Sequence, residues 1–231
     1  MVLCIETATS VCSVALCNKS GIMSLRESHE GKSHASQLTL FIEEILKENN
    51  IEARDLEAVA VSKGPGSYTG LRIGVSVAKG LAYGAELPLI GIETTTSMFY
   101  GLSKDIKSGK IRGDLFCPML DARRMEAYYC IFDIQGKITK EISAEIINEN
   151  SFKDFSSSVI VFFGDGASKC RDVIRHENAV FIDDFNVSAS HMHEPVYKAF
   201  NSQVFEDVAY FEPFYLKDFI ATIPKKNIIG Q

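Results

Sequence analysis

"VLCIETATSVCSVALCNKSG" occupies residues 2–21, and its shape returns at residues 117–136 as "CPMLDARRMEAYYCIFDIQG". Slid by 115 positions, Glu6 falls on Asp121, Val14 on Tyr129, Leu16 on Ile131 and Gly21 on Gly136. Each copy is an apolar strand ending in a carboxylate, a hairpin turn, a second apolar strand and a glycine turn. A repeat at half-chain scale outranks local readings. It predicts two similar lobes facing one another, with Glu6 and Asp121 at the mouth of the cleft between them.

Around the first copy the pattern extends in both chemistry and period. A third extended segment follows the "NKSG" turn. Past Ser33, a good N-cap, Leu38, Phe41, Ile42, Ile45 and Leu46 recur at helical spacing while Glu43, Glu44 and Lys47 face away. "LEAVAVS" reads as a buried strand, "LPLIGIE" as another, and "TTTSMFYGLSK" as a helix start. The order β-β-β-α-β-α-β-α specifies an α/β fold of mixed sheets with crossover helices. Residues 104–114, "KDIKSGKIRGD", are polar and glycine-bearing and serve as the expected linker, dividing the chain into lobes 1–106 and 107–231. The second lobe is short. It holds a strand, a Gly164-Asp165-Gly166 turn and helix, a further strand "AVFID", and a helix after Ser188 with Pro195 near its first turn. An aromatic-rich extended tail closes it.

Composition narrows the function classes. The chain has 231 residues, 46% hydrophobic and 23% charged, which describes a folded protein. A net charge of −6 argues against a broad non-specific grip on nucleic acid, which requires Lys and Arg in excess. The N-terminus lacks a basic n-region and reaches Glu6 after four apolar residues, unlike a signal peptide. No apolar run approaches the ~18 residues of a membrane span. Six cysteines without a C-x-x-C pair read as buried, reduced thiols, and the expected location is the cytoplasm.

"GPGSYTGLRIGVSVAKGLAYG" at residues 64–84 sets a glycine-rich turn before an apolar helix. It fails the Walker loop, because Leu71 and Arg72 stand where Lys and Ser/Thr belong, and its G-x-G-x-x-x-G is one residue too long for the dinucleotide fingerprint. Ser67 and Thr69 near the helix start leave an anion site open. Gly66, Gly70, Gly74, Ala78 and Ala82 form one stripe, flanked by Ile73, Val77 and Leu81. Glycine inside a helix costs about 1 kcal/mol relative to alanine, so the stripe needs close approach of another backbone. That backbone belongs either to the chain's own sheet or to another subunit.

"IETATSVCSVAL", "SKGPGSYTGLRIGVSVAKGLAYG", "LDARRMEAYYCIF" and "FEPFYLKD" together resemble the TsaB (YeaZ) family over nearly the whole chain. The resemblance implies a two-lobed actin-like fold of the ASKHA class, a duplicated RNase H-like unit. It implies a non-catalytic subunit for threonylcarbamoylation of the tRNA adenosine beside the anticodon. Such a subunit binds a TsaD-like transferase as a heterodimer, works with a TsaE-like ATPase, and forms a homodimer when its partner is absent. It carries no cofactor of its own, ATP and magnesium entering with the assembled complex, and meets tRNA only through that complex. The resemblance assigns the interface to Leu38, Phe41, Ile42, Ile45, Gly70, Ile73, Gly74, Val77, Ala78 and Leu81, and so favours the subunit reading of the stripe. Glu6 departs from the family's usual aspartate, and His191 and His193 stand where small residues are common.

The chemistry of alternatives is sparse. None of the five histidines gives H-x-x-x-H or H-E-x-x-H, so a glycoprotein metallopeptidase lacks ligands and no metal site is expected. The other alternative is a free-standing actin-fold ATPase or kinase using Glu6 and Asp121. Its nucleotide or anion cleft would comprise Glu6, Thr7, Ser67, Asp121, Gly164 and Gly166. Lys217, Lys225 and Lys226 in the tail are candidate RNA contacts in the complex, or simply a solvated terminus.

Overall fold

The computed structural model describes residues 1–31 and 34–216. Three strands open the chain, β1 (Val2–Glu6), β2 (Cys12–Asn18) and β3 (Gly21–Ser28), followed by α1 (His34–Glu48), β4 (Ala58–Gly64), α2 (Tyr68–Gly84), β5 (Leu89–Glu93) and α3 (Thr94–Gly101). Then come α4 (Ser103–Lys107), β6 (Leu115–Asp121), β7 (Glu126–Asp133), β8 (Ile138–Ile146), β9 (Ile160–Phe163), α5 (Asp165–Cys170), β10 (Ala179–Ile182) and α6 (His193–Asn201). Ser33, read as the cap of α1, lies outside the described residues. The expected linker begins as α4, because Ile106 tucks into the apolar cluster beneath it.

Two five-stranded sheets result, ordered β3-β2-β1-β4-β5 and β10-β9-β6-β7-β8. Read from the meander side, they are the same sheet twice: an antiparallel trio extended by two parallel strands. The half-chain repeat is therefore a repeat of topology. Its register differs by one. Glu6 faces Ser13 across the first hairpin, whereas Asp121 faces Ala127 across the second. Ser13 moved on by 115 positions is Tyr128, so the second hairpin is one residue tighter, and pairing sets Tyr128, not Tyr129, opposite Leu120 as Val14 stands opposite Ile5. Since side chains alternate, one residue of slip exchanges the faces of β7.

Both faces of the first sheet are covered, which is why β1, β2 and β4 are apolar almost without interruption. Leu3, Ile5, Val59 and Val61 pack under α1 and α2. Val2, Cys4, Ala58 and Ala60 pack under Ala189, Met192, Val196 and Tyr197. Those last four come from a 3₁₀ turn (Ala189–Met192) and α6, so the end of the chain crosses back from the second half to cover the first sheet. Pro195 sits in the first turn of α6, where its missing N–H costs nothing. The second sheet is held between α3 and α4 on one face and α5 on the other. Helix α3 joins the halves, with Phe99 stacked 4.7 Å from Phe132. All six cysteines are buried.

Candidate functional site

Two places carry the residues singled out by the sequence: a cleft between the lobes and the helix pair α1–α2. The cleft, about 880 Å³, is lined by Ser67, Tyr68, Asp121, Arg123, Asp165 and Tyr215 among others. Ser67 caps α2, its hydroxyl accepting the Gly70 N–H at 3.3 Å. Asp121 ends β6 and accepts the Arg123 N–H at 2.7 Å, while Lys169 of α5 pairs with it and donates to the Glu126 carbonyl. Asp165 accepts the Asp121 N–H at 3.0 Å, so the β9–α5 turn is stitched to the end of β6.

Glu6 and Thr7 are not in the lining. Both are fully buried, and this corrects the expected pairing of Glu6 with Asp121 at the cleft mouth. The Glu6 carboxylate turns inward, where one oxygen accepts the Ala8 N–H at 2.7 Å and, among the described residues, the other has no partner within hydrogen-bond distance. Burial pushes its carboxyl up to about 7, against the weaker pull of the Ala8 N–H and the Ser62 hydroxyl. The Thr7 hydroxyl is pressed against Gly74. Gly164 and Gly166 are buried too. A Cβ at Gly166 would lie 2.7–2.9 Å from the Leu120 backbone, and one at Gly164 would overlap the Met119 carbonyl. They are small so that α5 can approach β6; their bareness does not open the cleft. Of the six cleft residues named from the sequence, Ser67 and Asp121 line it.

The glycine stripe requires a similar correction. A Cβ at Gly66 would overlap the Ala8 carbonyl, one at Gly70 the Thr7 carbonyl, and one at Gly74 the Thr7 hydroxyl. The backbone that approaches α2 is the chain's own β1–β2 turn, with Ser67 N–H donating to the Ala8 carbonyl at 2.6 Å. Gly70, Gly74 and Ala78 are thereby closed to a partner, as are Leu38, Ile42 and Ile45, which enter the core beneath α1. Phe41, Ile73, Val77 and Leu81 remain half-buried at the surface. Beside them are features the stripe concealed: Leu40, 53% exposed, and Gly80 and Gly84, where a Cβ would meet nothing within 4 Å. Gly80 follows Ala78 by two positions, about 200° around the helix, so this glycine pair marks the opposite face. The two bare glycines floor a groove of about 280 Å³ walled by Leu81 and by Glu52–Arg54. Their spacing was visible in the sequence; the side on which the sheet lay was not.

His191 packs its ring on Phe185 and Gly101, and burial holds its imidazole below the usual range. His193 bonds the Asn18 carbonyl at 2.9 Å. Both tie the returning C-terminal segment to its neighbours. Among the described residues no group of three His, Cys, Asp or Glu could hold a metal ion, and no helix is long and apolar enough to cross a membrane. Lys217, Lys225 and Lys226 lie outside the described residues.

Two lobes, each a meander extended by parallel strands, with a cleft between them, define an actin-like protein of the ASKHA class. A family profile described as TsaD, tRNA N6-adenosine threonylcarbamoyltransferase, matches residues 28–225. The chain belongs to that family, on its TsaB (YeaZ) branch. It is 38% identical over 128 residues to the tRNA threonylcarbamoyladenosine biosynthesis protein TsaB of Escherichia coli, and 32% identical over 127 residues to that of Haemophilus influenzae. The matched stretch covers 55% of this chain and about half the length of each curated relative, 53% and 51%. The solved structure of YeaZ from Pseudomonas aeruginosa superposes with a TM-score of 0.80 at 19% identity, over 93% of this chain and 99% of that one. That likeness is one of fold.

Proposed function

We propose that the chain is a non-catalytic subunit for threonylcarbamoylation of the tRNA adenosine next to the anticodon. It binds a transferase of its own family through the outer face of α1 and α2, and pairs with a second copy through that face when the transferase is absent. The observation that carries this reading is the face itself: Phe41, Ile73, Val77 and Leu81 in a row beside two bare glycines, on helices whose other sides are already spent on the sheet. Half-buried apolar side chains next to exposed glycines suit a partner helix, which can approach closely and complete their burial. Glu6 supports the non-catalytic role, since a carboxyl sealed in the core reaches no substrate. ATP and magnesium belong in this reading to the assembled complex with its TsaE-like ATPase, and the place of work is the cytoplasm.

The test uses Val77→Glu, a change on the surface that leaves the buried stripe alone. Sizing should show loss of both self-association and capture of the transferase, with the unfolding midpoint within a few degrees of the parent. Unchanged assembly would show that the interface lies elsewhere. Assays of modified adenosine should show that the chain alone converts nothing and raises the rate of the transferase.

A further inference from the structure

The β1–β2 turn, residues 7–10, and the strand end that leads into it hold two buried polar atoms that the folded chain leaves unserved. Among the described residues neither the second Glu6 oxygen nor the Thr7 hydroxyl has a hydrogen-bond partner, and both residues are fully buried. Such groups are rare, because each forfeits its hydrogen bonds to water. The turn also has a light hold on the rest of the chain. The Ala8 N–H is spent on Glu6 at 2.7 Å, and the Val11 N–H on the Thr9 hydroxyl at 3.2 Å. Among the described residues, its backbone bond to a distant element is the one from the Ser67 N–H to the Ala8 carbonyl at 2.6 Å. Beneath it Gly66, Gly70 and Gly74 offer backbone alone. Ala8, Thr9 and Ser10 line the cleft, so open space lies on the turn's other side.

The elements around Glu6 suit a neutral carboxyl and not a charge. Opposite it, the Ser13 hydroxyl of β2 donates to Glu27 of β3 at 2.8 Å, which brings a second carboxylate near. From β4, Ser62 bonds Thr94 at the head of α3 at 2.8 Å, while Lys63 turns to Glu206. Glu93 precedes α3. The 3₁₀ turn Ala189–Met192 gives its Ala189 N–H to Ser13 and carries His191, held below the usual imidazole range by burial. The cations of α2, Arg72 and Lys79, reach Tyr215 and the Ala209 and Phe211 carbonyls. None of these cations pairs with Glu6. An ionised Glu6 therefore favours any arrangement that gives it water, and lifting residues 7–10 into the cleft does so. We infer that residues 7–10 form a proton-gated flap at the cleft wall, seated against α2 while Glu6 is neutral and lifted when Glu6 gives up its proton. The head of α2 loosens with it, since the helix cap Ser67 loses the acceptor of its N–H. The device belongs to the chain alone and requires no partner.

The experiment is amide hydrogen exchange of the full chain at about pH 6 and pH 8, corrected for the intrinsic rate. It is read on peptides covering residues 7–11 and 64–71, with β7 as reference. Glu6 titrates near 4.5 when lifted and about 7 when seated, so flap opening should rise about tenfold between the two pH values. At both, the flap should exchange at least about a hundredfold faster than β7, a central strand whose amides wait for global unfolding. Glu6→Gln, which keeps the neutral form, should abolish the rise. Exchange of flap and β7 at one common rate would mean that the chain opens only as a whole, and would overturn the inference. So would an equal rise in Glu6→Gln. Should that variant not fold, the carboxyl carbon of Glu6 in the parent, followed by NMR, takes its place: a midpoint near 4.5 overturns the gate, and one near 7 supports it.

Discussion

Glu6 shows how far one buried carboxyl can move the pH behaviour of the chain. Unfolded, it titrates near its ordinary 4.5; folded, near 7, because the charged form has lost its water and gained too few hydrogen bonds in exchange. Between those values the folded chain holds the extra proton. The stability associated with the neutral carboxyl is therefore whole below about 4.5 and is lost as pH rises through about 7. The span corresponds to about 3 kcal/mol. Urea unfolding of the parent should weaken from pH 5 to pH 8, and Glu6→Gln, which mimics the protonated form, should remove most of that decline. A decline of equal size in the variant would place its origin in other groups. The sequence shows a carboxylate at a strand end in both repeats; it does not show that Asp121 turns to solvent and Glu6 away from it. That difference comes from neighbours, since Lys169 and the Arg123 N–H draw Asp121 outward while the Ala8 N–H and Ser62 hold Glu6 within.

At the scale of an element, α2 is two helices in one, a face of missing side chains against the β1–β2 turn and a face of missing side chains toward the surface. The two glycine sets should respond to alanine with opposite signs. Gly70→Ala forces a methyl into the Thr7 carbonyl, backbone that cannot step aside, and should cost about 1–3 kcal/mol. Gly80→Ala meets open space and should stabilise the isolated chain by about 0.5–1 kcal/mol through the lower entropy of its unfolded state. Denaturant midpoints decide this, and matching losses for both would mean that α2 lies differently on the sheet. Helical period revealed the stripe, but period repeats around an axis and carries no sign for inward. The sign was set by where Thr7 and Ala8 arrived.

For the molecule as a whole, the informative fact is the return of residues 189–214 to the first sheet. Met192, Val196 and Tyr197 cover one face of it, Phe211 reaches the core on the other, and the Phe214 N–H bonds the Lys63 carbonyl at 2.6 Å. A fragment of residues 1–106 would leave Val2, Cys4, Ala58, Ala60 and Ile90 bare. It should express as aggregate, whereas the full chain nicked between residues 108 and 113 should stay associated in sizing runs. A soluble, cooperatively melting 1–106 fragment would show that the first lobe stands without this cover.

By itself the sequence determined the order of strands and helices in the first lobe, the duplicated hairpin and the two-lobed class, because hydrophobic period and turn residues act over a few neighbours and are written locally; α4 and β8 emerged only in the folded chain. Tertiary structure alone decided the one-residue difference between the hairpins, the burial of Glu6, the exposed side of α2 and the crossing of the C-terminal segment. Each depends on which distant backbone fills a given space, and packing of that kind is a property of the assembled chain.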